Sequence, residues 1–253
     1  MIRAVGVVVP ARDEEALLPS CLAAVKLAAR MLPRIPVHLV VVADRCGDRT
    51  ASLAARAGAI VVEGSMTGVG HARRTGAEVL LHRTRALDPS TVWIATTDAD
   101  TLVPPCWLSR QLEHASRGWE AVVGTVTVTD WAGRPAPYRA AYAEHYARGI
   151  GAPADVPADG DGMRAHGASR WHSHVHGANL GVTAAAYLAV GGFRPLPTGE
   201  DHALVGALES AGRRVLRTTG VTVTTSARHD PRAPDGFGDF LARLGHEAVP
   251  GMS

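Results

Sequence analysis

The chain has 253 residues, 46% of them hydrophobic and 20% charged, and a formal net charge of +2. That length suits one large α/β domain with a full core, and the composition is that of a globular protein, not a disordered or fibrous one. No block of clustered basic residues with interleaved aromatics points to nucleic acid, no apolar run of about 18 residues is there to span a membrane, and Cys21, Cys46 and Cys106 are too scattered for a disulfide framework or zinc knuckle.

Val5-Gly6-Val7-Val8-Val9 is a β-branched run stopped by Pro10, the pattern of a strand buried on both faces. It begins within a few residues of the N-terminus, so no signal peptide is expected, and the expected location is cytoplasmic, free or peripheral to a membrane. Asp13, Glu14 and Glu15 read as acids in the first turn of a helix that carries Leu17, Leu18, Leu22, Val25 and Leu27 and is closed by Pro33 and Pro36. Residues 37–43 form a second strand with Asp44 at its end, and Asp48 and Thr50 then open a short helix to Arg56, stopped by Gly58. Residues 59–63 form a third strand, and a turn from Gly64 to Gly70 leads into a helix over about residues 71–85 that begins His71-Ala72-Arg73-Arg74. The fourth strand, starting at Val92, runs through Trp93 and Ile94 and ends abruptly in Asp98-Ala99-Asp100. Strands alternating with helices in this way make a parallel, doubly wound sheet.

The second half is less regular. A helix over 104–116, a strand over 121–129 and a Tyr/Ala-rich helix over 138–148 precede a Gly-, Asp- and Pro-rich loop over 151–169, long enough to expect a functional role. A strand over 175–182, a short helix over 183–190 and the stop Gly191-Gly192 follow. Residues 200–211 form an amphipathic helix ended by Gly212, residues 215–225 form one or two strands broken at Gly220, and residues 237–244 close the chain as a helix. There are no internal repeats, and the expectation is one domain over 1–253, with a nucleotide-binding half, 1–101, and a second half, 102–253.

Four acidic clusters carry the chemistry. Asp13, Asp44 and the Asp98/Asp100 pair all fall at or just past strand carboxyl ends, where open α/β sheets bind ligands. Acids at the ends of the first two strands can accept hydrogen bonds from ribose hydroxyls or a base N–H. Asp98 and Asp100 repel each other unless a cation joins them, and hard oxygen ligands suit Mg²⁺ or Mn²⁺; equally, one of the pair caps the following helix. Arg73 at the start of a helix can meet diphosphate, a contact for which a guanidinium is well shaped. Glu200-Asp201, from the far half, is then available as a general base, or else as a negative charge facing the helix dipole.

The run Val8-Val9-Pro10-Ala11-Arg12-Asp13-Glu14, then Val41-Val42-Ala43-Asp44-Arg45-Cys46-Gly47-Asp48-Arg49-Thr50, Gly70-His71-Ala72-Arg73, Asp98-Ala99-Asp100 and Gly199-Glu200-Asp201 resembles the family 2 glycosyltransferases of GT-A fold, in motif order and over about residues 4–225. The resemblance implies a metal-dependent enzyme that moves a sugar from a UDP-, GDP- or dTDP-sugar donor to a hydroxyl-bearing acceptor, with Mg²⁺ or Mn²⁺ as cofactor. Carried over residue by residue, it implies that Pro10, Ala11, Arg12 and Asp13 line the nucleoside site, that Asp44 meets the base and that Arg73 meets the diphosphate. It further implies Asp98 near the ribose and sugar, Asp98 and Asp100 at the metal, and Asp201, with Glu200 beside it, as the catalytic base of an inverting transfer. The segment from His176 through Phe193 resembles the acceptor side, and a late histidine, here His229 beside Arg228 and Arg232, resembles a third metal ligand or phosphate contact.

Two departures bear on the reading. Ala43 replaces the acid usual there, leaving Asp44 alone at the base, and the Gln-x-x-Arg-Trp motif of polymerising members does not follow Asp201. The second points to a single transfer rather than chain synthesis. His172, His174 and His176 alternate, so on a strand they share a face, either as a metal site or as a polar edge. Trp131 and Trp171 stack on a sugar or pack into the protein. The Asp-x-Asp-x-Thr run at 98–101 also fits a haloacid-dehalogenase-like phosphatase, but no lysine follows Lys26. A sugar-nucleotide pyrophosphorylase shares the sheet type, but its Gly- and Arg-rich first loop with a lysine is missing after the first strand. A non-catalytic nucleotide-sugar-binding module would have no use for both Asp98/Asp100 and Glu200-Asp201.

Overall fold

The valine run that opens the chain lies inside the sheet, flanked on both edges by parallel partners. In a computed structural model that describes residues 1–129, 131, 136–151 and 169–226, eight strands form one sheet. They are β1 (Ala4–Ala11), β2 (Val37–Asp44), β3 (Ile60–Gly64), β4 (Val92–Thr96), β5 (Thr101–Leu102), β6 (Ala121–Val128), β7 (Leu180–Thr183) and β8 (Val215–Thr225). Their order is β3-β2-β1-β4-β7-β6-β8-β5. The first four strands run parallel, with Val5 opposite Val37 on one side of β1 and opposite Trp93 on the other. β7 is antiparallel to both β4 and β6, so it joins the parallel half to the second half, in which β6 and β8 are parallel and β5 is an antiparallel edge.

The helices are α1 (Leu18–Arg30), α2 (Thr50–Arg56), α3 (Val69–Arg83), α4 (Trp107–Ser116), α5 (Ala136–Arg148), α6 (Ala184–Ala189) and α7 (Glu200–Ser210). Successive strand side chains face opposite ways, and this divides the core in two. Val5, Val7 and Val9 pack with Leu18, Leu22 and Val25 of α1 and with Trp107 and Leu108 of α4. Val8 turns to the other face, among Leu80 of α3, Ala186 of α6 and Leu204 and Leu208 of α7. Burying each such valine or leucine contributes roughly 1.5–3 kcal/mol, which is why an uninterrupted apolar strand specifies a sheet covered on both sides.

Three local expectations are corrected. Asp13, Glu14 and Glu15 are not the first turn of α1, which starts at Leu18 with no acid in its first turn. Leu17 and Leu27 are exposed, at 37% and 45%, so the α1 core stripe is Leu18, Cys21, Leu22, Val25 and Ala28. Residues 175–182 are not one strand: a 3-10 turn, Gly177–Asn179, interrupts them before β7. Of the one or two strands expected over 215–225 there is one, its pairing with β6 shifted around Gly220, between Arg217 opposite Val123 and Thr222 opposite Thr125, and the two-residue β5 lies on an edge where no run is long enough to read. The stops at Gly58 and Gly212 hold, each with a left-handed φ, 76° and 66°. The expected helix at 237–244 lies outside the described residues.

Candidate active site

Because β1, β2 and β4 are parallel neighbours, the residues that follow them share one edge of the sheet. Asp13 has φ 50°, and its Oδ1 accepts the Gly47 N–H at 2.8 Å. The Thr50 hydroxyl accepts the Glu14 N–H at 2.8 Å, and Asp48 accepts the N–H groups of Glu15 and Thr50 at 3.0 and 2.9 Å. The acids read as a helix start thus stitch the loop after β1 to the loop after β2. Ligand atoms of Asp13, Cys46 and Asp48 lie within 4.8 Å of one another, although the two carboxylates already accept backbone hydrogen bonds.

Asp44 is buried and accepts the Met66 N–H at 2.7 Å and the Arg45 guanidinium at 3.1 Å. Pro10 is half-buried, Ala11 is buried and Arg12 is exposed. Asp98 and Asp100 follow β4 on the same edge, both half-buried. The hydroxyls of Thr101 and Thr225 reach Asp100 Oδ1 at 3.5 and 3.4 Å, both long for a hydroxyl bond to a carboxylate. Cys21 lies beneath this loop, its thiol 3.3 Å from the Asp98 carbonyl oxygen; burial first, then the charges of Asp100 and Asp98, push that thiol up, so it stays protonated.

Arg73 is where the structure differs most from the reading of the residues. The residue is 4% exposed and its guanidinium is turned inward, Nη1 donating to Glu200 and Nη2 to Asp98. Glu200, 2% exposed, faces that guanidinium. Asp201, the next residue, is half-buried and faces elsewhere: its Oδ2 accepts the Gly177 N–H at 2.7 Å and its Oδ1 the His202 N–H at 2.8 Å. The Gly177 carbonyl in turn accepts the Thr96 hydroxyl at 2.6 Å. A Cβ on Gly177 would lie 2.4 Å from Arg73 Cζ, so a side chain there would have to displace the guanidinium. Nothing in the sequence marks Thr96 as a site residue, and the resemblance to an acceptor-side segment is the one signal that covers Gly177.

The alternating histidines do share a face. The rings of His172, His174 and His176 stack at 6.0 Å intervals, with Tyr146 of α5 stacked on His174 at 3.9 Å. His172 Nε2 donates to the Val123 carbonyl at 3.0 Å and His174 Nε2 to the Tyr146 carbonyl at 2.9 Å. Burial lowers His172 to about 4 and His176 to about 3, so both are neutral, and among the described residues the three histidines do not bring ligand atoms close enough together to form a metal cluster. Trp131 donates to the Val128 carbonyl at 3.1 Å and packs on Tyr142, while Trp171 is half-buried against Gly151. His229, Arg228 and Arg232 lie outside the described residues, as does the loop over 152–168.

Comparison with known proteins decides the family. The model of glycosyl transferase family 2 matches residues 6–165. The chain belongs to this family. It is a glycosyltransferase, and the phosphatase and pyrophosphorylase readings give way. Its fold is that of solved glycosyltransferases. TarS residues 1–349 from S. aureus, in complex with UDP-GlcNAc, is 12% identical with a TM-score of 0.59, over 100% of this chain and 68% of that one. The mannosyltransferase PcManGT from Pyrobaculum calidifontis, in complex with GDP-Man and Mn²⁺, is 18% identical with a TM-score of 0.59, over 96% and 69%. Glucosyl-3-phosphoglycerate synthase from Mycobacterium tuberculosis, in complex with Mn²⁺, UDP and glucosyl-3-phosphoglycerate, is 16% identical with a TM-score of 0.53, over 97% and 77%. No curated protein sequence matches. Among the described residues no helix is long and apolar enough to cross a membrane.

Proposed function

We propose that this glycosyltransferase takes a sugar from a nucleoside-diphosphate donor with the help of Mg²⁺ or Mn²⁺ and transfers it once, with inversion, to an acceptor hydroxyl. The observation that carries this reading is the joining of the Asp98 loop to the first turn of α7 through Arg73 and Glu200, where the next residue, Asp201, offers a carboxylate suited to base catalysis. In this reading Pro10, Ala11, Arg12 and Asp13 line the nucleoside pocket with Asp44 at its base end. Asp44 already has a buried carboxylate fixed by Met66 and Arg45.

Asp98 and Asp100 suit a divalent cation by chemistry: two hard carboxylates on one loop, both half-buried. An ion held by these two carboxylates would supply positive charge to offset the negative charge of the leaving diphosphate. The protein's own part is to place the acceptor and move a proton. Asp201 takes the proton of the acceptor hydroxyl, that oxygen attacks the anomeric carbon from the face opposite the nucleotide, and the bond to the diphosphate oxygen breaks. A diphosphate contact for Arg73 is not retained, since its guanidinium is already shared between two carboxylates. Transfer is proposed as single because no Gln-x-x-Arg-Trp run follows Asp201 in this sequence.

Calorimetry with UDP, GDP and dTDP, each with and without Mn²⁺, tests the donor side. The expected result is binding of at least one nucleoside diphosphate that strengthens on adding Mn²⁺. If none of the three binds more tightly with the metal, the reading is wrong.

A further inference from the structure

Arg73 brings together α3, the loop after β4 and the first turn of α7. We infer that Arg73 and Glu200 are positioning residues, whose buried ion pair fixes the first turn of α7 so that Asp201 is held in register with Asp98. The inference rests on the reading of Asp201 as base.

Glu200 cannot meet an acceptor itself, being 2% exposed with its carboxylate on Arg73. A carboxylate taken out of water is costly unless it is paired, so this pair is either a specificity device or a liability. The surroundings favour the first. Neighbouring helical residues point about 100° apart, so a first turn pinned by Glu200 turns Asp201 away from Arg73, toward the Gly177 N–H. Gly177 packs against Arg73 Cζ, and its carbonyl accepts from Thr96. The contacts therefore close a ring: Thr96 and Asp98 at the end of β4, Gly177, α7, and Arg73 in the middle. A planar, two-pronged guanidinium reaches two carboxylates at once, whereas a lysine ammonium serves as a single point of charge. A ring of mutually hydrogen-bonded polar partners is stiff, and a reacting group displaced by about 1 Å loses on the order of a hundredfold in rate.

The test compares the full chain with Arg73→Lys, Glu200→Gln and the charge-free double variant Arg73→Met/Glu200→Met. Calorimetry gives UDP and GDP affinity with Mn²⁺, thermal denaturation gives the melting temperature, and release of nucleoside diphosphate from UDP-, GDP- and dTDP-sugars gives kcat and KM. Both single variants are expected to lose about tenfold or more in kcat while KM and nucleotide affinity stay within about threefold. The double variant is expected to recover melting temperature but not kcat, since an apolar pair restores packing without restoring the tie to Asp98. Undiminished kcat in Glu200→Gln, or a kcat that returns together with melting temperature in the double variant, overturns the inference and leaves the base reading standing. A wild-type chain that releases nucleoside diphosphate from none of these donors overturns the base reading and the inference with it.

Discussion

Glu200 and Asp201 are adjacent and chemically alike, yet their surroundings divide their work: one carboxylate is buried on a guanidinium, the other is half-buried on a backbone N–H. Asp201→Asn keeps the shape and can still meet the Gly177 N–H through its carbonyl oxygen, but it cannot take a proton. Transfer is expected to fall by about 10²–10⁴-fold, with UDP or GDP affinity nearly unchanged by calorimetry. A collapse of nucleotide affinity instead would make Asp201 a donor ligand. The histidine column sets a second prediction. Burial, opposed only in part by the hydrogen bond to Val123 and assisted by His174 and Arg217, lowers His172 from 6.5 to about 4. The unfolded chain therefore binds a proton at His172 that the folded chain refuses; stability is intact above about pH 6.5 and declines as the pH falls toward 4. At pH 5 the loss is about 2 kcal/mol from this residue, and His172→Gln is expected to flatten that part of the melting-temperature profile between pH 7 and 5. A profile equally steep in the variant would place the acid sensitivity elsewhere. At this scale the sequence is informative where acids follow strands, because the ends of parallel strands dictate a common edge. It is silent about the direction of Arg73, since nothing local to Gly70-His71-Ala72-Arg73 says that two carboxylates 25 and 127 positions away will converge on it.

The interrupted segment before β7 is the element on which the second half depends. Asn179, fully buried in the 3-10 turn, accepts from Trp107 Nε1 at 2.9 Å and donates to the carbonyls of Thr125 and Val221 at 2.8 and 3.0 Å. One side chain thus ties α4, β6 and β8 together. Asn179→Ala leaves one donor and two acceptors buried without that partner, and is expected to cost about 3 kcal/mol or more in urea denaturation, because stranding buried polar groups is expensive. A loss below about 1 kcal/mol would mean that water or other groups replace the amide. The same segment explains where element reading from sequence succeeds and fails. The valine runs of β1 and β2 are legible because both faces are apolar, leaving one solution. Residues 175–182 alternate like a strand, but Gly177 and Asn179 are recruited by Asp201 and by the strands around them, and tertiary contact overrides the local pattern. Asp13, Glu14 and Glu15 mislead for a related reason: acids favoured at a helix N-terminus are equally good at holding the N–H groups of a neighbouring loop.

At the scale of the molecule, the sheet runs without a break from β3 to β5, with β7 joining the parallel first half to the rest. Two polar ties cross that junction close to the proposed donor site: Arg73 with Glu200 and Asp98, and Thr96 with Gly177. A donor held by the first half should therefore stabilise the whole described sheet rather than one half. With a nucleoside diphosphate and Mn²⁺ at about 100 times the dissociation constant, linkage adds about 2.7 kcal/mol. For a chain of this size each kcal/mol raises the melting temperature by about 2–4 °C, so one cooperative transition shifted up by roughly 5 °C or more is expected. Omitting Mn²⁺, or introducing Asp100→Asn, should remove most of the increment while leaving the unliganded melting temperature nearly unchanged, because an amide oxygen can keep the long hydroxyl contacts that Asp100 makes with Thr101 and Thr225. Two transitions, with only one moved by the ligand, would show that the halves unfold separately. An increment indifferent to Mn²⁺ and to Asp100 would remove the metal from the donor site while leaving the nucleotide in it.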